Sequence, residues 1–161
     1  MALFLDSHVH KIDRKGRVSV PAQFRAALMS QSFAGVIAFP SFRERCNAIE
    51  ACGIDRMNRL SESLDDLDPF SNEQNDMAVV IFGAAAQLPF DGEGRIMLTD
   101  DLIAAAGITD RTVFVGCGQT FQMWAPDAYA EFAVEARSRA REARAGLRLA
   151  RPAGGDGDER R

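Results

Sequence analysis

The chain has 161 residues, 47% of them hydrophobic, and a formal net charge of −4. That length supports one ordinary core, or two small ones sharing an interface. No run reaches the roughly 18–20 uninterrupted apolar residues of a membrane-spanning helix, and no basic segment followed by an apolar run and a cleavage site stands at the N-terminus; the expected location is the cytoplasm, with no membrane partner.

In chain order, Phe4, Val9 and Ile12 stand among polar residues as in a strand, and KIDRKGRVSVP follows at residues 11–21. Its Asp13-x-x-Gly16-Arg17 core reads as the turn of a β-hairpin, because Asp bonds its own turn backbone and Gly takes positive φ. A short amphipathic helix is predicted from Pro21, then β-rich runs at Val36 to Phe39 and Asn47 to Ala51. Ile54, Met57, Leu60 and Leu64 recur at helical spacing, and Ser71-x-x-Gln74 opens a second helix that should run to about Phe82.

From Leu88 the pattern starts again. LPFDGEGRIMLTDDLIAAAG matches the first motif at an offset of 78, with Asp91, Gly94 and Arg95 in the places of Asp13, Gly16 and Arg17. Thr99 is placed to cap the helix that follows and Gly107 to stop it. Strands are predicted at Thr112 to Gly116 and Phe121 to Trp124, and Pro126 begins a last helix through Tyr129, Phe132 and Val134. That helix turns Arg/Ala-rich by Arg137, and the stretch beyond Ala150 lacks an apolar face and reads as a disordered tail. Four or five short strands per copy leave exposed edges and a core too small to stand alone. The expectation is therefore one pseudo-twofold domain, α+β and mainly β, divided as repeat 1 (4–52), helical connection (53–83), repeat 2 (84–134) and Arg-rich helix end with tail (135–161).

Charge is segregated along this acidic chain. Lys11, Arg14, Lys15, Arg17 and Arg25 outnumber the early acids, whereas the span from Asp55 to Asp101 carries most of the negative charge. One reading of the turn is structural, with Asp13 shaping it, Gly16 allowing it and Arg17 pairing with Asp13; Asp91, Gly94 and Arg95 repeat that logic. Turn geometry does not require Arg14 and Lys15, which become Gly92 and Glu93 in copy two. A projecting tip with Lys11, Arg14, Lys15 and Arg17 suits phosphates and base edges. The Arg137 to Arg151 run is read as a solvated helix end, with an auxiliary nucleic-acid contact as the alternative.

Other chemistry is poorly supported. His8 and His10 alternate on a strand but lack a third metal ligand, and are read as exposed residues flanking the basic tip. Cys46, Cys52 and Cys117 are odd in number and form no CxxC, as expected of reduced thiols. With no GxSxG elbow, Walker A loop or HExxH, the reading is a non-enzyme without a cofactor.

The run Asp13-Arg14-Lys15-Gly16-Arg17-Val18-Ser19-Val20-Pro21, the second motif Asp91-Gly92-Glu93-Gly94-Arg95 and the segment Phe82 to Ala86 before it resemble the MraZ family of the SpoVT-AbrB superfamily over Phe4 to Phe132. The resemblance implies two tandem swapped-hairpin β-α-β units closing into one pseudo-twofold barrel with flanking helices, assembled as a homo-oligomeric ring. It implies sequence-specific, nucleoid-associated binding to double-stranded promoter direct repeats upstream of the protein's own gene, with repression of a division and cell-wall cluster. Carried over, Arg17 with Lys15, Arg14 and Lys11 contacts DNA, and Arg95 is the copy-two counterpart, its role weakened by Glu93. A protein-interaction module of the antitoxin type is the rival, although antitoxins carry one copy and a long tail.

Overall fold

The computed structural model describes residues 3–151, and the last residues of the expected tail, from 152 on, lie outside them. Within that span the fold is α+β and mainly sheet, with eight strands and five α-helices. Copy one contributes β1 (Ser7–Lys11), β2 (Arg17–Ser19), α1 (Ala22–Met29), β3 (Gly35–Pro40) and β4 (Ile49–Cys52). Copy two repeats the order as β5 (Ala86–Pro89), β6 (Arg95–Met97), α4 (Asp100–Ala106), β7 (Arg111–Gly116) and β8 (Phe121–Trp124). Helices α2 (Ile54–Asp65) and α3 (Asn72–Ala78) connect the copies, and α5 (Pro126–Ala143) follows the second.

The strands pair across the copies. A six-stranded sheet runs β1-β7-β8-β4-β3-β5, and β2 pairs with β6 in a separate two-stranded ribbon. That order is a palindrome of the repeat: each copy's first strand lies against the other copy's third, His8 opposite Phe114 and Leu88 opposite Val36. Two expectations change. The two arms of the first turn do not build a hairpin ladder, meeting only at the bridge between Ile12 and Val18 before each joins a strand of the other copy. Nor is the six-stranded sheet a closed barrel, since β1 and β5 are its two ends.

Local chemistry explains most element boundaries. Thr99 Oγ1 accepts the Leu102 N–H at 3.2 Å and Ser71 Oγ accepts that of Gln74 at 3.1 Å, which satisfies a free amide at each helix start. The helix begun at Ser71 does not stay α-helical to Phe82; it widens into a π-turn over Val79–Gly83, which buries Ile81 and leaves Val79 and Val80 exposed. Strands β3 and β4 are buried on both faces; β3 therefore reads as an apolar run rather than an alternation, while β4 buries Glu50 between Ile49 and Ala51.

One face of the sheet meets the main core. Phe24 and Leu28 of α1, Leu102 of α4, and Val18 and Ile96 of the ribbon pack against Val36, Ile49, Phe114 and Phe121. Phe4, Phe24 and Phe121 meet there with ring centroids 5.0–5.2 Å apart. The other face is covered in two patches, α2 and the π-turn over Ile37, Phe39 and Cys52, and α5 over Trp124.

Gly16 is constrained twice, by its backbone angle and by a neighbour. Its φ is +84°, and a Cβ there would lie 2.7 Å from the Leu98 carbonyl oxygen of the other copy. Gly16→Ala is expected to cost about 1–3 kcal/mol in equilibrium urea unfolding. Gly92→Ala, at an open position of the second turn, is expected to stay within about 0.5 kcal/mol of wild type.

Candidate nucleic-acid interface

The two Asp-to-Arg turns are built alike. Asp13 Oδ1 accepts the backbone N–H groups of Lys15 and Arg17, each at 2.9 Å, while Oδ2 takes the Arg17 Nε–H at 2.7 Å. In the second turn Asp91 Oδ1 accepts from Glu93 N–H at 2.8 Å and Arg95 N–H at 3.0 Å, and Oδ2 from Arg95 Nε–H at 2.9 Å. One carboxylate thus closes each turn and fixes the root of its arginine. The Arg17 backbone bond is the largest cause holding the Asp13 carboxyl below its ordinary range, and the Arg95 backbone bond does the same for Asp91. The bond to Asp91 raises Arg95 above its ordinary value.

The ribbon displays both arginines. Arg17 lies opposite Met97 and Ser19 opposite Arg95, so these four side chains share the outer face while Val18 and Ile96 turn inward. Because β2 and β6 are antiparallel, the turns sit at opposite ends of the ribbon. The copies also brace one another. The Leu98 N–H donates to the Gly16 carbonyl at 2.8 Å, and the Val20 N–H to the Gly94 carbonyl at 3.3 Å.

The two ends differ in charge. At the first, Arg14 and Lys15 are exposed with no acid paired to them among the described residues, and Arg17 uses only Nε in its bond to Asp13. Lys11 is exposed on β1 with Arg111 directly opposite, which adds a cation near the same end. At the second, Glu93 approaches Arg95 Nη1 at 3.6 Å, so two carboxylates bear on one guanidinium.

Arg25, one of the early cations, takes a place that the sequence did not reveal. Arg25 of α1 lays its guanidinium over Gly94, where an added Cβ would meet Nη1 at 2.5 Å, and Nη1 donates to the Val20 carbonyl at 3.4 Å. The equivalent position in copy two is Ile103, which lies over Gly16. The second turn therefore borrows its extra cation from the first copy, and the 78-residue offset that pairs Arg25 with an apolar residue is the only hint the sequence offered.

The histidines are not part of this surface. His8 and His10 are half-buried and face Phe24 and Phe114 edge-on, with His10 Nδ1 against the Ser19 carbonyl, whereas Ser7, Val9 and Lys11 face outward. Among the described residues no group of three or more His, Cys, Asp or Glu is arranged to hold a metal ion, and no helix is long and apolar enough to cross a membrane. Cys46 and Cys52 are buried and Cys117 is exposed; burial is the largest cause raising all three thiols, Cys52 to about 12. The arginines from Arg137 to Arg151 are exposed on α5 and just beyond it, and Arg139 bonds Glu135 at 3.4 Å.

The family model described as "MraZ protein, putative antitoxin-like" matches residues 81–149. A relative from Rickettsia bellii (strain OSU 85-389), named Transcriptional regulator MraZ, is 45% identical over 149 residues, 92% of this chain and 98% of its own. The chain belongs to the MraZ family. A member from Parvibaculum lavamentivorans with the same name is 49% identical over 139 residues, 86% of each chain, and one from Rickettsia canadensis is 45% identical over 150 residues, 93% of this chain and 99% of its own.

The depressed aspartates of this MraZ family member set a pH window. A carboxyl whose folded value lies below its ordinary 3.8 stabilises the fold fully above that value, and the contribution is lost as pH falls through the lower, folded one. The stability gap between wild type and Asp13→Asn/Asp91→Asn, followed by urea midpoint from pH 6 to pH 3, is expected to hold down to about pH 4–5 and shrink below it. A gap that does not change with pH would disprove this linkage.

Proposed function

We propose that this protein is a sequence-specific DNA-binding transcription regulator, with the ribbon between the copies as its reading surface and Arg17 as its central contact. The observation that carries the reading is the contrast between the turns: the same carboxylate clamp holds both arginines, but the first is flanked by Arg14 and Lys15, whereas the second has Glu93 bearing on its arginine. A clamp at Nε orients the guanidinium and leaves its Nη groups for a phosphate or a guanine edge. Lys15, Arg14 and Lys11 then supply charge to the backbone of double-stranded DNA. Asp13, Gly16, Asp91 and Gly94 shape the turns, and Arg95 with Arg25 makes the weaker contact.

In this reading the protein acts in the cytoplasm on tandem promoter repeats upstream of its own gene, repressing that gene and a neighbouring division and cell-wall cluster, and does so as a ring of identical subunits. Several modest contacts engaged together raise the effective concentration of each tip, which suits a surface this small. The acidic remainder opposes indiscriminate binding. The names of its relatives support the regulatory role.

The test is fluorescence anisotropy against DNA from immediately upstream of the coding sequence, over a salt series. Arg17→Ala is expected to weaken binding by roughly 5- to 150-fold, the range of one good base contact, and Arg95→Ala by less. Wild-type affinity should fall steeply with salt. Folded wild type that ignores this DNA but retains a stoichiometric small protein in pulldown would replace this reading with the antitoxin-type one.

A further inference from the structure

On the outer face of the sheet, far in role from the ribbon, lies a cavity of about 250 Å³ between β3, β4 and the α2–π-turn layer. Its walls are apolar, formed chiefly by Phe39, Met57, Leu60, Met77 and Ile81. Glu50, Arg43 and Arg56 also line it, Arg43 already paired with Glu50. The acid is unusual: the Glu50 side chain is 9% exposed on a central strand, a place where a carboxylate is costly unless it is satisfied.

That satisfaction is one-sided. Ser41 Oγ–H, Arg43 Nε–H and Gln122 Nε2–H all donate to Oε1, at 3.0, 3.1 and 3.0 Å. Oε2 receives no hydrogen bond from the described residues, and it is not sealed from solvent either, since the one buried side-chain N or O atom lacking a partner among those residues is His8 Nε2. Oε1 takes all three donors, and Oε2 is the Glu50 oxygen without one among the described residues. Arg56 spends Nη1 on the Gln119 amide oxygen at 2.7 Å and pairs with no carboxylate among the described residues. Gln122 in turn accepts the Trp124 Nε1–H at 2.9 Å, which wires the only tryptophan of the chain to this acid.

We propose that this cavity binds a small apolar α-amino acid, its ammonium on Glu50 Oε2, its carboxylate on Arg56 and its side chain among the apolar walls. A carboxylate and a guanidinium on one apolar pocket complement a zwitterion and disfavour molecules with one charge alone. The volume falls below the roughly 300–1,000 Å³ of sites for drug-sized ligands, which suits a metabolite of this size. Nothing in this site depends on DNA binding, and its test needs none.

The full chain is titrated with L-leucine while Trp124 fluorescence and thermal unfolding are followed, beside 4-methylpentanoic acid, which lacks the amine, and isopentylamine, which lacks the carboxylate. L-leucine is expected to give a saturable fluorescence change and a raised Tm, and each analogue to bind at least about tenfold more weakly, as loss of one charged hydrogen bond implies. Glu50→Gln and Arg56→Gln should each weaken L-leucine by a similar factor; Arg56→Gln leaves the Ser41–Glu50–Gln122 bonds in place, so it answers even if Glu50→Gln folds poorly. Three results would overturn the proposal. Wild type could show no response to L-leucine, or respond equally to all three compounds, which is sorption to an apolar groove. The response could also vanish as the protein self-associates, which would make a second copy the occupant.

Discussion

Two hydrogen bonds between the copies, from Leu98 N–H to the Gly16 carbonyl and from Val20 N–H to the Gly94 carbonyl, tie the structure together. Each turn is closed by its own aspartate, but its glycine carbonyl is satisfied by the other half. With the exchange of β1 and β5 between the copies, this means that neither half has a complete set of partners for its own backbone. The core reflects the same dependence, since ribbon residues Val18 and Ile96 are each 1% exposed and come one from each copy. Folding must therefore bring distant segments together, and the ribbon exists only once both copies are in place.

The aspartate clamp has a second role. An arginine held at Nε loses part of its rotamer freedom before it meets a ligand, which lowers the entropy lost on binding. The clamp is identical in the two turns, so the difference between the ends of the ribbon comes from their neighbours: Arg14 and Lys15 at one, Glu93 and the borrowed Arg25 at the other. The scaffold supplies geometry, and a few tip residues supply charge.

Much of this was legible in the chain because the 78-residue offset preserves aspartate, glycine and arginine together with the apolar alternation behind them. The caps at Ser71 and Thr99 and the helix end at Gly107 follow from local chemistry and stand where that chemistry puts them. Which strands pair across the copies did not follow, because period two says which residues share a face but not which strand lies beside them. His8 and His10 show the same limit: the alternation correctly put them on one face, and only the packing of Phe24 and Phe114 shows that this face is the inner one. Glu50 stands between Ile49 and Ala51, and its partners come from the loop after β3 and from β8, which the alternation does not show. The widening at Val79 was invisible because a helical period carries no mark of one inserted residue.

The palindromic strand order has a consequence for polarity. Two identical chains related by a true twofold axis must present identical tips, and such an object has no front or back along its ribbon. Here both copies lie in one chain, so the tips were free to diverge while the frame kept its symmetry, and they have: cations at one end, a glutamate at the other. The ribbon has a head and a tail. One symmetric frame thus offers two chemically unlike ends, a distinction that two identical chains about a twofold axis could not make.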